Sequence, residues 1–478
     1  MIRKIKKSDF FETLDHTKNY FLSNIAIKAI GLISIPIFTR MLTQEDYGIV
    51  AVFDAYVKIF IILLSLNAYT AVGRYFYENT EDYNKFLGTT LILLIIIFVV
   101  TIPLFVCSSS FLAQLLQLPE PLPSLLIVVC LFSIIREIYL QILIPRKKSK
   151  EVAFISIIKG YSTVVVAIIL VYLLSENKYL GRIWANLIIG GILSVFFLMK
   201  IRSYFHLTFK KTHFTYIASY SIPLIPYALS GIILAQFDRI MINSMVDTAS
   251  AGLYSLGYNI GMLLLLVVGA TQKALIPDFY RFLETREYRR LDLLVRRVFS
   301  IITIVALGLV LFATELGMIL ADKKFHPGLT VVPIVVIGYI FYAMFTVYNR
   351  YISYEKKTLY LSAVVLLSGI INIGLNTWLI PLYGYIAAAY TTVISYGIMF
   401  LLTWMVAHTI STHEVTPLQM IWYPTLIMFL FVGVAILLNT IDINVLLFFM
   451  TKVVITMVFG MLIFWKEIQT LRKSVKKL

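Results

Sequence analysis

Apolar residues along this chain gather into long uninterrupted blocks rather than narrow amphipathic stripes. The stretch 91–106, LILLIIIFVVTIPLFV, carries one hydroxyl and no charge. About 20 apolar residues cross the hydrocarbon core of a bilayer. Lipid offers no partner to a free backbone N–H or C=O, so such blocks must be helical. Fourteen blocks can be delimited, at 19–39, 48–72, 86–109, 121–144, 152–174, 180–199, 216–236, 249–272, 298–320, 329–349, 359–380, 384–407, 418–438 and 442–465. The pattern predicts an all-α polytopic membrane protein with 14 transmembrane helices.

The polar connections decide the orientation. Of the 41 basic residues, 30 fall in the two tails and the even-numbered connections, and only six on the opposite side. Arg146, Lys147, Lys148 and Lys150 fill one such connection. Lys273, Arg281, Arg286, Arg289, Arg290, Arg296 and Arg297 crowd another, at 273–297, where a surface-lying basic helix is expected. The positive-inside rule then makes both termini cytoplasmic. The tail before the first span lacks the cleavage-type ending of a signal peptide.

Composition sharpens this picture. Charged residues are 14% of the 478, about half the share of a soluble domain, and the mean hydropathy is +0.89. The net charge of +16 is accounted for by the loops, so no nucleic-acid partner is expected. Cys107 and Cys130 lie in apolar runs and read as small buried hydrophobes, with no disulfide. The six histidines lack metal-ligand spacing, and no phosphate-binding Gly-rich loop is present. No metal, cofactor, direct ATP use or enzymatic activity is expected.

The chain repeats itself. Phe38-Thr39-Arg40 ends span 1 and Tyr47-Gly48 opens span 2; Phe237-Asp238-Arg239 ends span 7 and Ala251-Gly252-Leu253-Tyr254 opens span 8. The expected organisation is two pseudo-symmetric six-helix lobes, 1–205 (spans 1–6) and 206–412 (spans 7–12), around a central cavity. Residues 413–478 supply spans 13 and 14 and a basic tail. Repeated halves flanking a site are the common logic of secondary transporters.

Three stretches resemble the polysaccharide or O-antigen flippase family (Wzx type) of the MOP superfamily. They are 28-KAIGLISIPIFTRMLTQEDYGIVAVF-53, 236-QFDRIMINSMVDTASAGLYSLGYNIG-261 and 372-NIGLNTWLIPLYGYIAAAYTTVISYG-397. The resemblance implies a bacterial inner-membrane flippase for surface polysaccharide assembly. Its substrate would be an undecaprenyl-pyrophosphate-linked oligosaccharide moved to the outer leaflet. Other partners would be membrane lipids and further polysaccharide-assembly membrane proteins.

Charges within spans are costly and mark function by default. Five basic residues lie there: Lys28, Lys58, Arg136, Lys159 and Lys452. Lys28, Lys58, Arg136 and Lys159 all belong to the first lobe and are the candidate contacts for a pyrophosphate and its sugar. Arg supplies a bidentate fork and Lys a mobile point charge. Lys159 could instead snorkel to the interface. Asp54, one turn from Lys58, with Glu137 and Glu315, is a candidate for charge pairing or ion coupling. Arg136 and Glu137 are adjacent and are expected to need different partners. Arg40, Asp238 and Arg239 occupy the repeated motif and are expected to brace span ends. Lys452 is expected to face headgroups or a lipid-tail groove. Tyr69, Tyr254, Tyr258, Tyr342 and Tyr348 could stack on sugars, although many of the 30 tyrosines suit an interfacial belt.

Two other function classes fit less well. A multidrug or cation antiporter of the same superfamily would favour a carboxylate-lined cavity, against the cationic first lobe. A membrane glycosyltransferase or polymerase would need a sizeable extramembrane loop, whereas the outward loops are short.

Overall fold

In the computed structural model, residues 23, 26–439 and 445–475 are described. The N-terminal basic tail, the start of span 1, the loop 440–444, and Lys476 and Lys477 lie outside the described residues. The described residues are all-helical, without strands.

The helices in chain order are α1 (26–41), α2 (Gln44–Leu64), α3 (Ala68–Glu78), α4 (Tyr83–Cys107), α5 (Ser109–Leu116), α6 (Leu122–Leu143), α7 (Ser149–Leu173) and α8 (Tyr179–Ile201). There follow α9 (Lys211–Ser221), α10 (Ile225–Ile232), α11 (Asp238–Met245), α12 (Thr248–Gly261), α13 (Leu264–Glu284), α14 (Tyr288–Leu311) and α15 (Ala313–Leu320). The last are α16 (Val331–Tyr354), α17 (Thr358–Tyr383), α18 (Tyr385–Ile410), α19 (Gln419–Asn439) and α20 (Val445–Val475). Eleven helical segments among the described residues are long and apolar enough to cross a membrane, and they match the second to twelfth expected spans in order. Two shorter apolar pieces, Gln419–Val434 and Phe449–Trp465, fall on the thirteenth and fourteenth.

One expectation needs correction. The basic connection at 273–297 is no surface-lying helix. α13 runs on to Glu284 and α14 begins at Tyr288, so both spans extend as long helices and only three residues link them. Pro277 inside α13 does not end it. Charged residues at a span's end extend a helix as readily as they form a loop, because the polar interface tolerates both.

The chain divides into two compact units, Met1–Gly252 with Leu320–Asp322, and Leu253–Ile319 with Lys323–Leu478. In the first unit, a reciprocal capping box opens α2. Thr43 Oγ1 accepts from Asp46 N at 3.0 Å, and Asp46 Oδ2 accepts from Thr43 N at 3.0 Å. Asp46 Oδ1 also accepts from Tyr179 N at 3.3 Å, tying the starts of α2 and α8 together. The Arg182 guanidinium lies 4.7 Å over Phe38 and 5.8 Å over Tyr47. Beside this clamp the two motif glycines meet. A Cβ on Gly48 would stand 1.9 Å from Thr248 O, and one on Gly252 would stand 2.1 Å from Gln44 O. Only hydrogen in place of a side chain permits that backbone approach.

The seventh span, Lys211–Met245, is broken twice. A 3₁₀ turn at Ile222–Leu224 holds Pro223, and a π turn at Ile233–Phe237 precedes α11. Proline removes a helical N–H, and π turns mark local departures from the α ladder. The connection leading into this span is strapped to α4. His206 N donates to Asn84 O at 3.0 Å, Thr89 Oγ1 donates to Thr208 O at 3.0 Å, and Lys210 N donates to Thr89 Oγ1 at 3.2 Å. Asp82 anchors its far end. Its carboxylate accepts from Lys210 Nζ at 2.8 Å and meets buried His213 Nε2 at 2.8 Å. Nearby, Arg146 sits among the rings of Tyr204, Phe76 and Tyr83, at 4.7, 4.8 and 5.1 Å.

In the second unit α16 is the most buried of the candidate spans and packs against α18 and α17. Gly257 and Gly328 allow α12 to press on the 3₁₀ segment Lys323–Thr330. A polar seam joins α17 and α18: Asn376 Nδ2 donates to Asn372 Oδ1 at 3.2 Å, and the Thr391 hydroxyl donates to Asn376 Oδ1. Such hydrogen bonds hold helices together where the lipid offers no hydrophobic contrast.

Two outcomes follow. Gly48→Ala should destabilise the protein by about 1–3 kcal/mol through overpacking, read as a lower unfolding temperature in detergent; an unchanged temperature would contradict the contact. The hydrogen bond from Lys210, assisted by His213, holds the Asp82 carboxyl at about 2 instead of 3.8. That stabilisation is complete above about pH 4 and fades as the pH falls towards 2. Asp82→Asn should therefore melt a few degrees lower at pH 7 and lose this part of the acid sensitivity.

Candidate functional site

The first unit gathers a charged cluster from four helices. α2 presents Asp54 and Lys58 one turn apart, α6 presents Arg136 and Glu137, α7 presents Lys159, and α11 presents Arg239. Lys159 interacts electrostatically with Arg136, Glu137 and Asp54. Lys58 interacts with Asp54 and Arg239. Arg136 and Lys159 line one small pocket with Ser133, Asn186 and the aromatic rings of Phe132 and Phe197. Tyr69 on α3 feels the charge of Glu137.

Arg136 and Glu137 pair with each other, Nη2 to Oε1 at 2.5 Å, although neighbours on a helix start out in different directions. Both side chains are long enough to curl back, which corrects the expectation of separate partners. The Arg136 Nε stays buried without a hydrogen-bond acceptor. Four basic side chains, Lys58, Arg136, Lys159 and Arg239, stand with the two carboxylates of Asp54 and Glu137 among apolar spans. Charge–charge terms strengthen as the effective dielectric falls. An anion with several oxygens, such as a phosphate or pyrophosphate, matches a fork and two mobile ammonium groups.

The other expected residues are placed as follows. Lys28 is exposed on α1, the helix that meets α7 through Tyr161 and Gly160. Arg40 and Arg239 make the same bond in the two repeats: Arg40 Nη1 donates to Pro36 O at 2.7 Å and Arg239 Nη1 to Ala235 O at 2.9 Å. Arg40 is exposed, whereas Asp238 and Arg239 are buried. Of the five tyrosines, Tyr254, Tyr258 and Tyr348 are fully buried and pack in the core of this structure rather than at an interface. Tyr339 donates to the Tyr258 hydroxyl at 2.9 Å, and Tyr348 donates to Thr416 O at 3.1 Å. Tyr69 and Tyr342 keep partial exposure. Cys130 is buried, but Cys107 is exposed on the apolar surface of α4, contrary to the reading of both as buried.

The second unit holds charges that the apolar pattern left unassigned. Lys452 Nζ donates to Glu315 Oε1 at 2.6 Å, joining α20 to α15, and Lys452 is 7% exposed. Lys452 thus faces a carboxylate rather than headgroups or a lipid tail. Arg350, expected in a connection, is buried in the last turns of α16. It donates to the Gln272 side chain and stands 5.4 Å over Phe279. Among the described residues, no group of three His, Cys, Asp or Glu is placed to hold a metal ion.

This helical architecture is shared with solved membrane transporters. The structure superposes on the lipid II flippase MurJ in an inward closed conformation with a TM-score of 0.75 and 16% identity, covering 95% of this chain and 100% of that one. It superposes on an inward-facing multidrug resistance MATE family transporter of the MOP superfamily at 0.65 and 14% identity, covering 80% and 95%. The protein is a multi-pass membrane protein with the fold of these transporters. The profile of the polysaccharide biosynthesis protein family matches residues 14–283, more than half of the chain, and the chain belongs to that family. Two Haemophilus influenzae proteins are similar in sequence. An Lsg locus protein is 25% identical over 276 residues, 56% of this chain and 66% of that protein. An uncharacterized membrane protein is 22% identical over 280 residues, 57% and 67%. The match to the first therefore spans slightly less than two thirds of its length.

The Glu315–Lys452 pair can be tested directly. Breaking a part-buried ion pair leaves the buried Lys452 ammonium unsatisfied at a cost of about 1–3 kcal/mol. Glu315→Gln and Lys452→Met should each lower the unfolding temperature, and the exchange Glu315→Lys with Lys452→Glu should recover most of the loss. Equal stability of all four proteins would remove the pair from the account.

Proposed function

We propose that this protein flips undecaprenyl-pyrophosphate-linked oligosaccharide repeat units from the cytoplasmic to the outer leaflet of the bacterial inner membrane. The flipped units feed surface polysaccharide assembly. The observation that carries the reading is the cationic cluster of Lys58, Arg136 and Lys159 on apolar spans of a polysaccharide biosynthesis family member. A charge facing hydrocarbon costs about 2.5–3.5 kcal/mol on insertion scales. A water-filled cavity removes most of that cost and leaves the cations available to a phosphate.

The protein works by alternating access between two six-helix lobes, 1–205 and 206–412, within a 14-span chain. Spans 13 and 14 stand outside the repeat, and both termini are cytoplasmic. Lys28 joins the pyrophosphate contacts, and Asp54 and Glu137 keep the cations solvated and oriented between cycles. The sugar substrate enters with the pyrophosphate leading, since the cluster lies towards the basic side of the spans. The likeness to a lipid II flippase supports the fold; the excess of cations over carboxylates favours an anionic cargo over a cationic drug.

Loss of one charge-assisted hydrogen bond costs about 1.5–3 kcal/mol, or about 10- to 150-fold in a binding step. Lys58→Ala, Arg136→Ala and Lys159→Ala should insert normally but lower surface polysaccharide and accumulate the lipid-linked repeat unit. Lys58→Arg should retain more export than Lys58→Ala, and Arg136→Lys should lose some, because the fork is lost. Normal export by the triple alanine variant at wild-type protein levels would defeat the proposal. The orientation is checked separately in a background lacking Cys107 and Cys130: cysteines placed at Lys178 and Lys323 should react with an impermeant reagent outside intact cells, and one at Arg286 should not.

A further inference from the structure

Away from the charged cluster, the first unit carries a second cavity of opposite character. It is a groove of about 750 Å³ between α4, α6 and the end of α8. Leu94, Phe98, Ile134 and Ile138 form its buried floor, and Ile95 and Val99 form an exposed wall. Every lining residue is apolar except Arg202, which stands with Phe205 and Leu207 at one mouth. That mouth is built rather than incidental. The 206–210 segment is bonded to Asn84 and Thr89, and a Cβ on Gly88 would come within 1.8 Å of His206 O. The rim residues Phe205 and Leu207 therefore hold a fixed position over the start of α4.

We propose that this groove is a binding site for an anionic glycerophospholipid of the bilayer, with one acyl chain in the groove and its phosphodiester at Arg202. Along α4 the groove runs from Leu91 to Pro103, which is about 18 Å of helix. One leaflet of the hydrocarbon core is about 15 Å thick. The groove is thus one acyl chain long, and much shorter than a polyprenyl chain of many isoprene units. Among the described residues, Arg202 makes no ion pair; it is exposed and is the one charged residue in the lining of the groove. A guanidinium at the edge of an apolar slot pairs with a phosphodiester through two parallel N–H donors. The assignment does not depend on what the protein transports.

The test uses the full chain in phosphatidylcholine nanodiscs doped with spin-labelled phosphatidylglycerol or spin-labelled phosphatidylcholine. The motionally restricted fraction of label is measured for each. The wild-type protein should restrict phosphatidylglycerol preferentially. Arg202→Ala, on an exposed position, should lose about fivefold of that preference, the worth of one basic residue at a charged lipid surface. Arg202→Lys should recover part of it. Val99→Trp fills the groove from its exposed wall and should lower the restricted fraction of both lipids. An unchanged preference in Arg202→Ala, or an unchanged fraction in Val99→Trp, would overturn the site. Displacement by unlabelled polyprenyl phosphate in preference to phosphatidylglycerol would overturn it in favour of the transported lipid's tail. Displacement by inorganic phosphate would overturn it in favour of a free anion site.

Discussion

A charge among lipid-facing helices has to be matched by another charge, by a dipole or by water, and this constraint organises the molecule. The first unit meets it collectively. Lys159 is balanced by Glu137 and Asp54 as well as opposed by Arg136, and Lys58 is balanced by Asp54 across one turn. The second unit meets it locally, with Lys452 on Glu315 and with Arg350 on Gln272 and the Phe279 ring. The contrast separates two uses of intramembrane charge. The Lys452–Glu315 pair fastens two helices, whereas the cluster is the part of the molecule to which the proposed function assigns an anion.

The residues of the paired motif make contacts within the helical frame. Arg40 and Arg239 bond backward to the carbonyl four residues before them, and Gly48 and Gly252 lie at a mutual backbone approach. Thr43 and Asp46 fix where α2 begins, and through Tyr179 where α8 begins. These contacts set the relative rotation of the helices that carry Asp54, Lys58 and Arg239. The cluster thus inherits its geometry from residues outside it as well as from its own.

The apolar blocks foretold which segments form long apolar helices, because helix formation in lipid is compulsory and needs no tertiary information. The eleven long candidate spans follow the expected order for that reason. What the pattern could not supply was anything set by side-chain reach or by packing between distant segments. Glu315 and Lys452 are 137 residues apart and meet only through the placement of α20. The pairing of Arg136 with Glu137 depends on two rotamers. Burial of Tyr254, Tyr258 and Tyr348 depends on neighbours, while composition alone placed tyrosines at interfaces. The capping box is written in the sequence as Thr43 followed three residues on by Asp46, a local polar signal inside an otherwise apolar pattern. Around 273–297 a helix was legible, but its continuity with the two spans on either side was not, because its charge resembles that of a separate surface helix.

The central claim, that the cationic cluster carries a lipid-linked pyrophosphate across the bilayer, is met most directly by reconstitution. The purified protein would be placed in vesicles containing a fluorescent polyprenyl-pyrophosphate oligosaccharide, and the fraction of sugar accessible to an external reductant of the fluorophore would be followed over time. The account predicts that wild-type protein renders the inner-leaflet pool accessible, and that simultaneous alanine substitution of Lys58, Arg136 and Lys159 abolishes the exchange while the protein remains folded. Exchange at the wild-type rate by that triple variant would contradict it.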